Sequence, residues 1–186
     1  MIKKIVIPTV SLFVICLVCT LLLAVVNQKT APQIEKLAVQ TEMESRSKVL
    51  NTATSFEDEK NGGVEYAVGY NDAKEIQGYI FVTTTKSYGG DLQVMTGVDA
   101  DGKITGVEIL EISDTAGLGM KATNEDFRAR FIGLFDNITI DKNEGNAEKN
   151  QVQALTGATI TSKAVATAVN EALADYEAVT GNGGAK

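Results

Sequence analysis

Residues 91–112 of the chain read DLQVMTGVDADGKITGVEILEI, and this sequence gives the clearest indication of the fold. It contains two runs in which apolar and polar residues alternate, separated by Asp101-Gly102, a residue pair typical of tight hairpin turns. Upstream, residues 64–70 (VEYAVGY) and 75–85 (EIQGYIFVTTT) are rich in the aromatic and β-branched residues that strands prefer. The sequence therefore predicts a mostly antiparallel sheet with a hairpin over 91–112.

Helices are predicted on the C-terminal side of this hairpin. Residues 123–126 fit a capping box and open a helical pattern through Phe127, Phe131 and Leu134, and NITI (137–140) then predicts a short strand. After a polar loop, apolar residues keep helical spacing from about residue 161 to residue 179. Strands followed by helices are typical of the α+β class, and we predict that class here, with helices flanking the sheet.

The N-terminus has a different character. Residues 5–26, IVIPTVSLFVICLVCTLLLAVV, carry no charge, and as a helix they would extend roughly 33 Å, enough to cross a bilayer. The run is longer than the apolar core of a signal peptide and ends at a poor cleavage site, so we interpret it as a retained transmembrane helix. Lys3 and Lys4 precede it and only Lys29 closely follows it. This bias predicts a single-pass protein of the cell membrane, with the N-terminus in the cytoplasm and the soluble part outside.

Composition divides the chain into four predicted segments. Residues 1–29 form the membrane anchor. Residues 30–62 form an amphipathic helix, opened by a capping box at 30–33, and a polar connector that ends at Gly62-Gly63. Residues 63–180 form one α+β domain, and residues 181–186 (GNGGAK) form a flexible tail.

Charge, cysteine and histidine content exclude several classes of function. Apart from Lys3 and Lys4 the chain has 15 basic residues against 24 acidic ones, so the soluble part offers no surface for nucleic acid. Cys16 and Cys19 both lie in the predicted span, and the chain has no histidine. These facts exclude a thiolate-bound iron–sulfur cluster in the soluble part, histidine-ligated haem or zinc, and a Ser-His-Asp triad. We predict no metal site, and redox work would require an organic cofactor.

Two short stretches are candidates for chemistry. Residues 154–165, ALTGATITSKAV, place four hydroxyl residues before and within the start of the last predicted helix. Thr161 or Ser162 can cap that helix, and a helix N-terminus preceded by glycine is also an anion site, where a threonine can lie beside a phosphate or be esterified to one. The alternative is that all four hydroxyls serve capping and turns. Residues 114–121, DTAGLGMK, follow a strand and fit a connector, since the third glycine of a dinucleotide fingerprint is missing.

The order of these motifs resembles a known family. YGG (88–90), the hairpin, DTAGLG (114–119) and TGATITS (156–162) follow one another as in the FMN-binding domain with covalently attached flavin. That domain occurs in the G subunit of the Rnf electron-transport complex and in the C subunit of sodium-translocating NADH:quinone reductase. The resemblance runs from about residue 79 to residue 176, and the family shares the single N-terminal anchor. Gln153 stands where the family usually has an acid, and Ala116 where it often has proline.

The resemblance implies a cofactor and a set of site residues. In the family the final threonine of the S/T-G-A-T motif bears FMN through a phosphoester, which corresponds to one covalent FMN on Thr159. The further cofactor-binding residues that it implies are Thr156, Gly157, Ala158, Thr161, Thr115, Leu118, Gly119 and Lys121. No catalytic residue beyond the flavin is implied.

The resemblance also implies a function. The chain would be an electron-carrying flavoprotein subunit of a membrane-bound Rnf-type ferredoxin:NAD+ oxidoreductase complex, coupled to Na+ or H+ translocation and inactive alone. Its partners would be integral membrane and iron–sulfur subunits, and a flavin transferase would install FMN. The alternatives are a C-type subunit of the sodium-translocating reductase, a free-standing anchored flavoprotein for extracellular electron transfer, and a non-redox module that binds flavin or phosphate. A pilin-like protein is disfavoured, since residues 5–26 contain no acid.

Overall fold

The computed structural model describes residues 2–181. Residues 182–186 of the predicted tail lie outside the described residues, as do the side chains of Lys3 and Lys4, on which the predicted orientation rests. The chain divides into two compact units, Met1–Met43 and Glu44–Lys186.

The first helix, α1, spans Ile2–Val49. Its most apolar 18-residue window has a mean hydropathy of 2.9, so by length and composition this helix can cross a membrane. The capping-box pattern at 30–33 does not begin a separate helix, and Pro8 and Pro32 both lie inside α1. The polar residues 27–30 contain neither glycine nor proline, so nothing there ends the helix.

The second unit is built on a five-stranded antiparallel meander in the order β1-β2-β3-β4-β5. The predicted hairpin is confirmed: β4 and β5 pair along their length, and Gly102, with φ +83°, turns the chain between them. The two strands predicted upstream are also present, as β2 and β3. The five strands are β1 Ser55–Asn61, β2 Val64–Tyr70, β3 Ile76–Lys86, β4 Asp91–Asp99 and β5 Ile104–Glu111.

Strand β1 lies where a polar connector was predicted. Its residues, SFEDEKN, are exposed apart from the half-buried Phe56, so they lack the apolar alternation by which a strand is recognised. They occupy the sheet edge, where charged side chains discourage pairing with another chain. Arg46, at the end of α1, holds this edge through an ion pair of 2.7 Å with Asp58.

The last helix, α3, spans Thr159–Thr180 and packs on one face of the sheet. Its buried face includes Val165, Val169 and Tyr176, which join the strand residues of the main core. Two strand hydroxyls fix its position, since Thr83 and Thr85 donate to the carbonyl oxygens of Ala168 (2.9 Å) and Ala164 (3.2 Å). The N-terminus of α3 is therefore held at a defined place beside the sheet.

The opposite face of the sheet packs against the end of α1. Val49 and Leu50 are fully buried there with Ala67, Ile80 and Met95. Gly97 pairs with Gly106 across β4 and β5, and a Cβ on Gly97 would lie 2.3 Å from the Val49 carbonyl oxygen. The glycine pair thus allows the backbone at the end of α1 to contact the sheet directly.

The region between β5 and α3 differs from the prediction. The helix predicted from 123 to Leu134 is reduced to α2, Glu125–Arg128, followed by the 3-10 turn Ala129–Phe131. Thr123 does not cap α2, because its hydroxyl donates to the Met120 carbonyl. Residues 133 and 134 pair with the start of β5, and this tertiary contact ends the helical pattern early. The predicted strand at 137–140 is present as β6, Thr139–Asp141, which pairs in parallel with an unpredicted β7, Gln151–Gln153.

Candidate functional site

The candidate site is built around the first turn of α3. A turn at residues 155–158 brings the chain into the helix, with Gly157 at φ +78° and the Ala158 N–H bonded to the Leu155 carbonyl at 3.0 Å. The helix begins at Thr159, and its N-cap residue is Ala158, which has no side chain that can cap. Neither Thr161 nor Ser162 is the cap, so that prediction was wrong. The first N–H groups of α3 therefore remain available to a negatively charged group.

The four hydroxyls of this stretch have different surroundings. The buried Thr161 donates to Asp114 at 2.5 Å, and the buried Ser162 donates to the Ala158 carbonyl at 3.0 Å while accepting from the Leu155 N–H at 2.9 Å. The side chains of Thr156 and Thr159 have no hydrogen-bond partner within residues 2–181. Two hydroxyls thus hold the turn and the helix in place, and two are free to react or to bind.

A pocket of about 460 Å³ lies directly beside Thr159. Three separate parts of the chain form its walls: the β3–β4 turn, the loop after β5, and the start of α3. Its volume is within the range of roughly 300–1,000 Å³ that is usual for small-molecule sites. The lining residues are Tyr88, Asp114, Thr115, Leu118, Gly119, Gly157, Ala158, Thr159, Ile160 and Thr161.

Asp114 connects the three walls of this pocket. Its carboxylate is buried and accepts hydrogen bonds from the Ser87 hydroxyl (2.6 Å), the Gly89 N–H (2.6 Å) and the Thr161 hydroxyl (2.5 Å). Burial alone raises the pKa of Asp114, but these hydrogen bonds outweigh it and hold the pKa below its ordinary value. The group is therefore a carboxylate at neutral pH.

Most of the residues implied by the resemblance meet in this pocket. Two do not line it: Thr156 is exposed in the preceding turn, and Lys121 is exposed in the 3-10 turn Gly119–Thr123. The other seven are Thr115, Leu118, Gly119, Gly157, Ala158, Thr159 and Thr161.

Three lining residues were not among the predicted site residues. Tyr88 and Ile160 are large and exposed, at 71% and 59% of their surface, and Asp114 is a buried acid. The sequence offered an indication for Tyr88 and Ile160. Tyr88 lies in a glycine turn and Ile160 in a hydroxyl-rich motif, so neither residue belongs to an apolar pattern that would place it in the core. Asp114 is the first residue of the DTAGLG motif, but no local pattern predicts its contacts, because its partners lie 25 to 47 residues away in the chain.

Two family models match the chain. The FMN-binding domain matches residues 87–174, a range that contains every residue lining the pocket. The RnfG N-terminal region matches residues 1–50.

Three relatives are similar over nearly their whole length. The chain is 35% identical to the G subunit of the Na+-translocating ferredoxin:NAD+ oxidoreductase complex of Acetobacterium woodii, over 89% of this chain and 88% of the relative. It is 32% identical to the G subunit of the proton-translocating ferredoxin:NAD+ oxidoreductase complex of Clostridium ljungdahlii, over 93% and 92%. It is 31% identical to the G subunit of the ion-translocating oxidoreductase complex of Methanosarcina acetivorans, over 94% and 95%.

Among solved structures, the fold is similar to that of the C subunit of the Na+-translocating NADH-quinone reductase from Parabacteroides distasonis. The TM-score is 0.52 at 26% sequence identity, and the match covers 60% of this chain and 61% of that protein. The NqrC protein of Shewanella oneidensis also has a TM-score of 0.52, at 16% identity and with 66% of each chain covered, and this likeness concerns the fold alone.

Proposed function

Because this chain belongs to the family of the G subunits of Rnf-type ion-translocating oxidoreductase complexes, we propose that it is an FMN-carrying electron-transfer subunit of such a complex. In the complex it would contribute to electron transfer between ferredoxin and NAD+, coupled to the translocation of Na+ or H+. It would have no complete activity alone, and its partners would be the integral membrane and iron–sulfur subunits.

The pocket residues fit FMN. Leu118 and Ile160 offer apolar surface to a ring system, and the uncapped N-terminus of α3 offers N–H groups and the positive end of the helix dipole to a phosphate. Bound there, FMN would supply the chemistry of accepting and passing on electrons, while the chain's own residues hold and orient it. Gly119 and Gly157 also line the pocket.

The free hydroxyl of Thr159 is the observation that carries the proposal of a covalent flavin. It is partly exposed in the pocket wall at the first residue of α3 and has no partner within residues 2–181. Thr161 and Ser162 are held in buried hydrogen bonds, and Thr156 does not line the pocket. We therefore assign the phosphoester to Thr159, with one FMN per chain installed by an external flavin transferase.

The proposed location rests on the uncharged run 5–26 of α1 and on the lysines before that run. The helix would anchor the protein in the cell membrane, with Lys3 and Lys4 on the cytoplasmic side and the flavin domain outside. An extracytoplasmic domain has no access to the cytoplasmic pool of FMN, so a covalent bond would prevent loss of the cofactor by dilution. An extracytoplasmic location would therefore favour covalent attachment of the flavin.

The assignment is tested by in-gel flavin fluorescence of the full-length protein isolated from its native membrane and denatured. Thr159→Ala is expected to abolish the fluorescence. The matched control is Thr167→Ala, which removes an exposed hydroxyl of the same helix outside the pocket and is expected to keep the band fluorescent. A fluorescent Thr159→Ala band would refute the assignment, and a non-fluorescent wild-type band would refute a covalent flavin altogether.

A further inference from the structure

Asp114 is a buried carboxylate without a cation. Only 7% of its surface is exposed, and no basic side chain pairs with it in the part of the chain that the structure describes. Its partners are two hydroxyls and one N–H, all neutral. Buried carboxylates are normally paired with a positive charge. Here the hydrogen bonds stabilise the carboxylate but do not neutralise it, so a net negative charge without an ion-pair partner among the described residues lies in the pocket wall.

The hydrogen bonds of this carboxylate hold all three walls of the pocket. Ser87 and Gly89 flank Tyr88, and Thr161 lies two residues after Thr159 in the first turn of α3. Gly119 leaves space for the hydrogen bond between Asp114 and Thr161, since a Cβ on Gly119 would lie 2.6 Å from Asp114 Oδ2 and 2.7 Å from Thr161 Oγ1. This one side chain therefore bridges the three walls.

We propose that Asp114 is a negatively charged positioning residue for the flavin: it fixes the pocket walls around the ring and lowers the midpoint potential of the bound flavin. This inference rests on the proposed function, because it requires FMN in the pocket beside Thr159. Each electron that a flavin takes up adds negative charge to its ring system, which proton uptake neutralises only in part. A like charge in a poorly hydrated wall opposes that addition. The positive end of α3 would raise the midpoint potential. Substitutions of Asp114 therefore measure the effect of the carboxylate on the potential separately from the effect of the helix.

The direction of the shift in midpoint potential distinguishes the effect of charge from the effect of loosened packing. Asp114→Asn removes the charge at nearly constant shape and is expected to shift the midpoint potential to a more positive value. Thr161→Val removes one donor and leaves the carboxylate less compensated, so it is expected to shift the potential to a more negative value. If Asp114 only held the walls together, both substitutions would loosen the same contact and shift the potential in the same direction.

The experiment is an anaerobic dye-equilibrated reductive titration of the full-length protein from its native membrane, followed by flavin absorbance. It compares wild type, Asp114→Asn, Thr161→Val and Asp114→Glu, which keeps the charge and is expected to restore the wild-type potential. Glu111→Gln is the matched control, because this exposed acid belongs to the preceding strand and its charge is screened by water. Flavin loading of each protein is measured in the same samples by gel fluorescence.

Opposite shifts in Asp114→Asn and Thr161→Val support the proposal. Equal potentials in wild type and Asp114→Asn, or parallel shifts in the two variants, overturn it. If Asp114→Asn does not fold or carries no flavin, the proposal is tested with Thr161→Val and Ser87→Ala, each of which removes one donor to Asp114. A more negative midpoint potential in these variants supports the proposal, and an unchanged or more positive one overturns it. A wild-type protein without flavin would instead contradict the proposed function, and this inference with it.

Discussion

Substituting Gly119 by alanine tests whether the contact between Asp114 and α3 holds the domain together. The added Cβ would lie 2.6 Å from Asp114 Oδ2 and 2.7 Å from Thr161 Oγ1, so the 2.5 Å hydrogen bond between these two residues must open. A hydrogen bond to a charged group contributes about 1.5–3 kcal/mol, and overpacking a buried site costs about 1–3 kcal/mol. We expect the free energy of unfolding to fall by roughly 2.5–6 kcal/mol, a large part of the stability of an ordinary domain.

The matched control lies two residues away in the same loop. Gly117 has φ +77° and nothing within 4 Å of its would-be Cβ, so Gly117→Ala costs only backbone strain, about 1–2 kcal/mol. Both variants are measured as full-length proteins in mild detergent by urea unfolding, followed by the near-ultraviolet circular dichroism of the tyrosines. The reasoning is refuted if Gly119→Ala is no less stable than Gly117→Ala.

Three further changes have defined expected outcomes. Thr96 is fully buried in β4, and its hydroxyl has no hydrogen-bond partner in the described chain. Thr96→Val is therefore expected to raise the free energy of unfolding by about 1 kcal/mol. A lower free energy of unfolding in urea would contradict this expectation. The pKa of Asp114 is lowered in the folded protein; its carboxylate therefore stabilises the fold fully above its unfolded pKa near 3.8, and this contribution is lost as the pH falls through the lower folded value. The stability difference between wild type and Asp114→Asn should accordingly be constant at neutral pH and shrink in acid, whereas a difference independent of pH down to about pH 2 would contradict the assignment. Tyr88 lines the pocket, and a tyrosine beside a flavin quenches its emission by electron transfer, so Tyr88→Leu should brighten the fluorescence of the native protein, with Tyr70→Leu, outside the pocket, as the control.

The sheet was predictable where its strands are half-buried. The alternation in residues 91–112 and the Asp101-Gly102 turn define β4 and β5, because the pattern records which side chains face the core. Strand β1 has no buried face, so its sequence lacks the apolar alternation of a half-buried strand. Its charged residues are typical of a connector. The short parallel pair of β6 and β7 depends on contacts between segments about ten residues apart, which no local pattern encodes.

The candidate site was predictable as a set of motifs and not as a hydrogen-bonded arrangement. The resemblance identified seven of the ten residues that line the pocket, because glycines and hydroxyls at fixed spacing are visible in the chain. It could not distinguish the roles of four neighbouring hydroxyls, since only the fold shows that Thr161 and Ser162 have partners while Thr156 and Thr159 have none in the described part of the chain. The resemblance also implied Lys121, whose side chain is exposed and does not line the pocket.

We have proposed that Thr159 carries one phosphoester-linked FMN. The most direct measurement is the intact mass of the full-length protein purified from its native membrane, followed by fragmentation of the peptide that contains residues 154–163. We expect a mass increased by one esterified FMN, with the added group located on Thr159. An unmodified mass, or the same group located on Thr156, would contradict it.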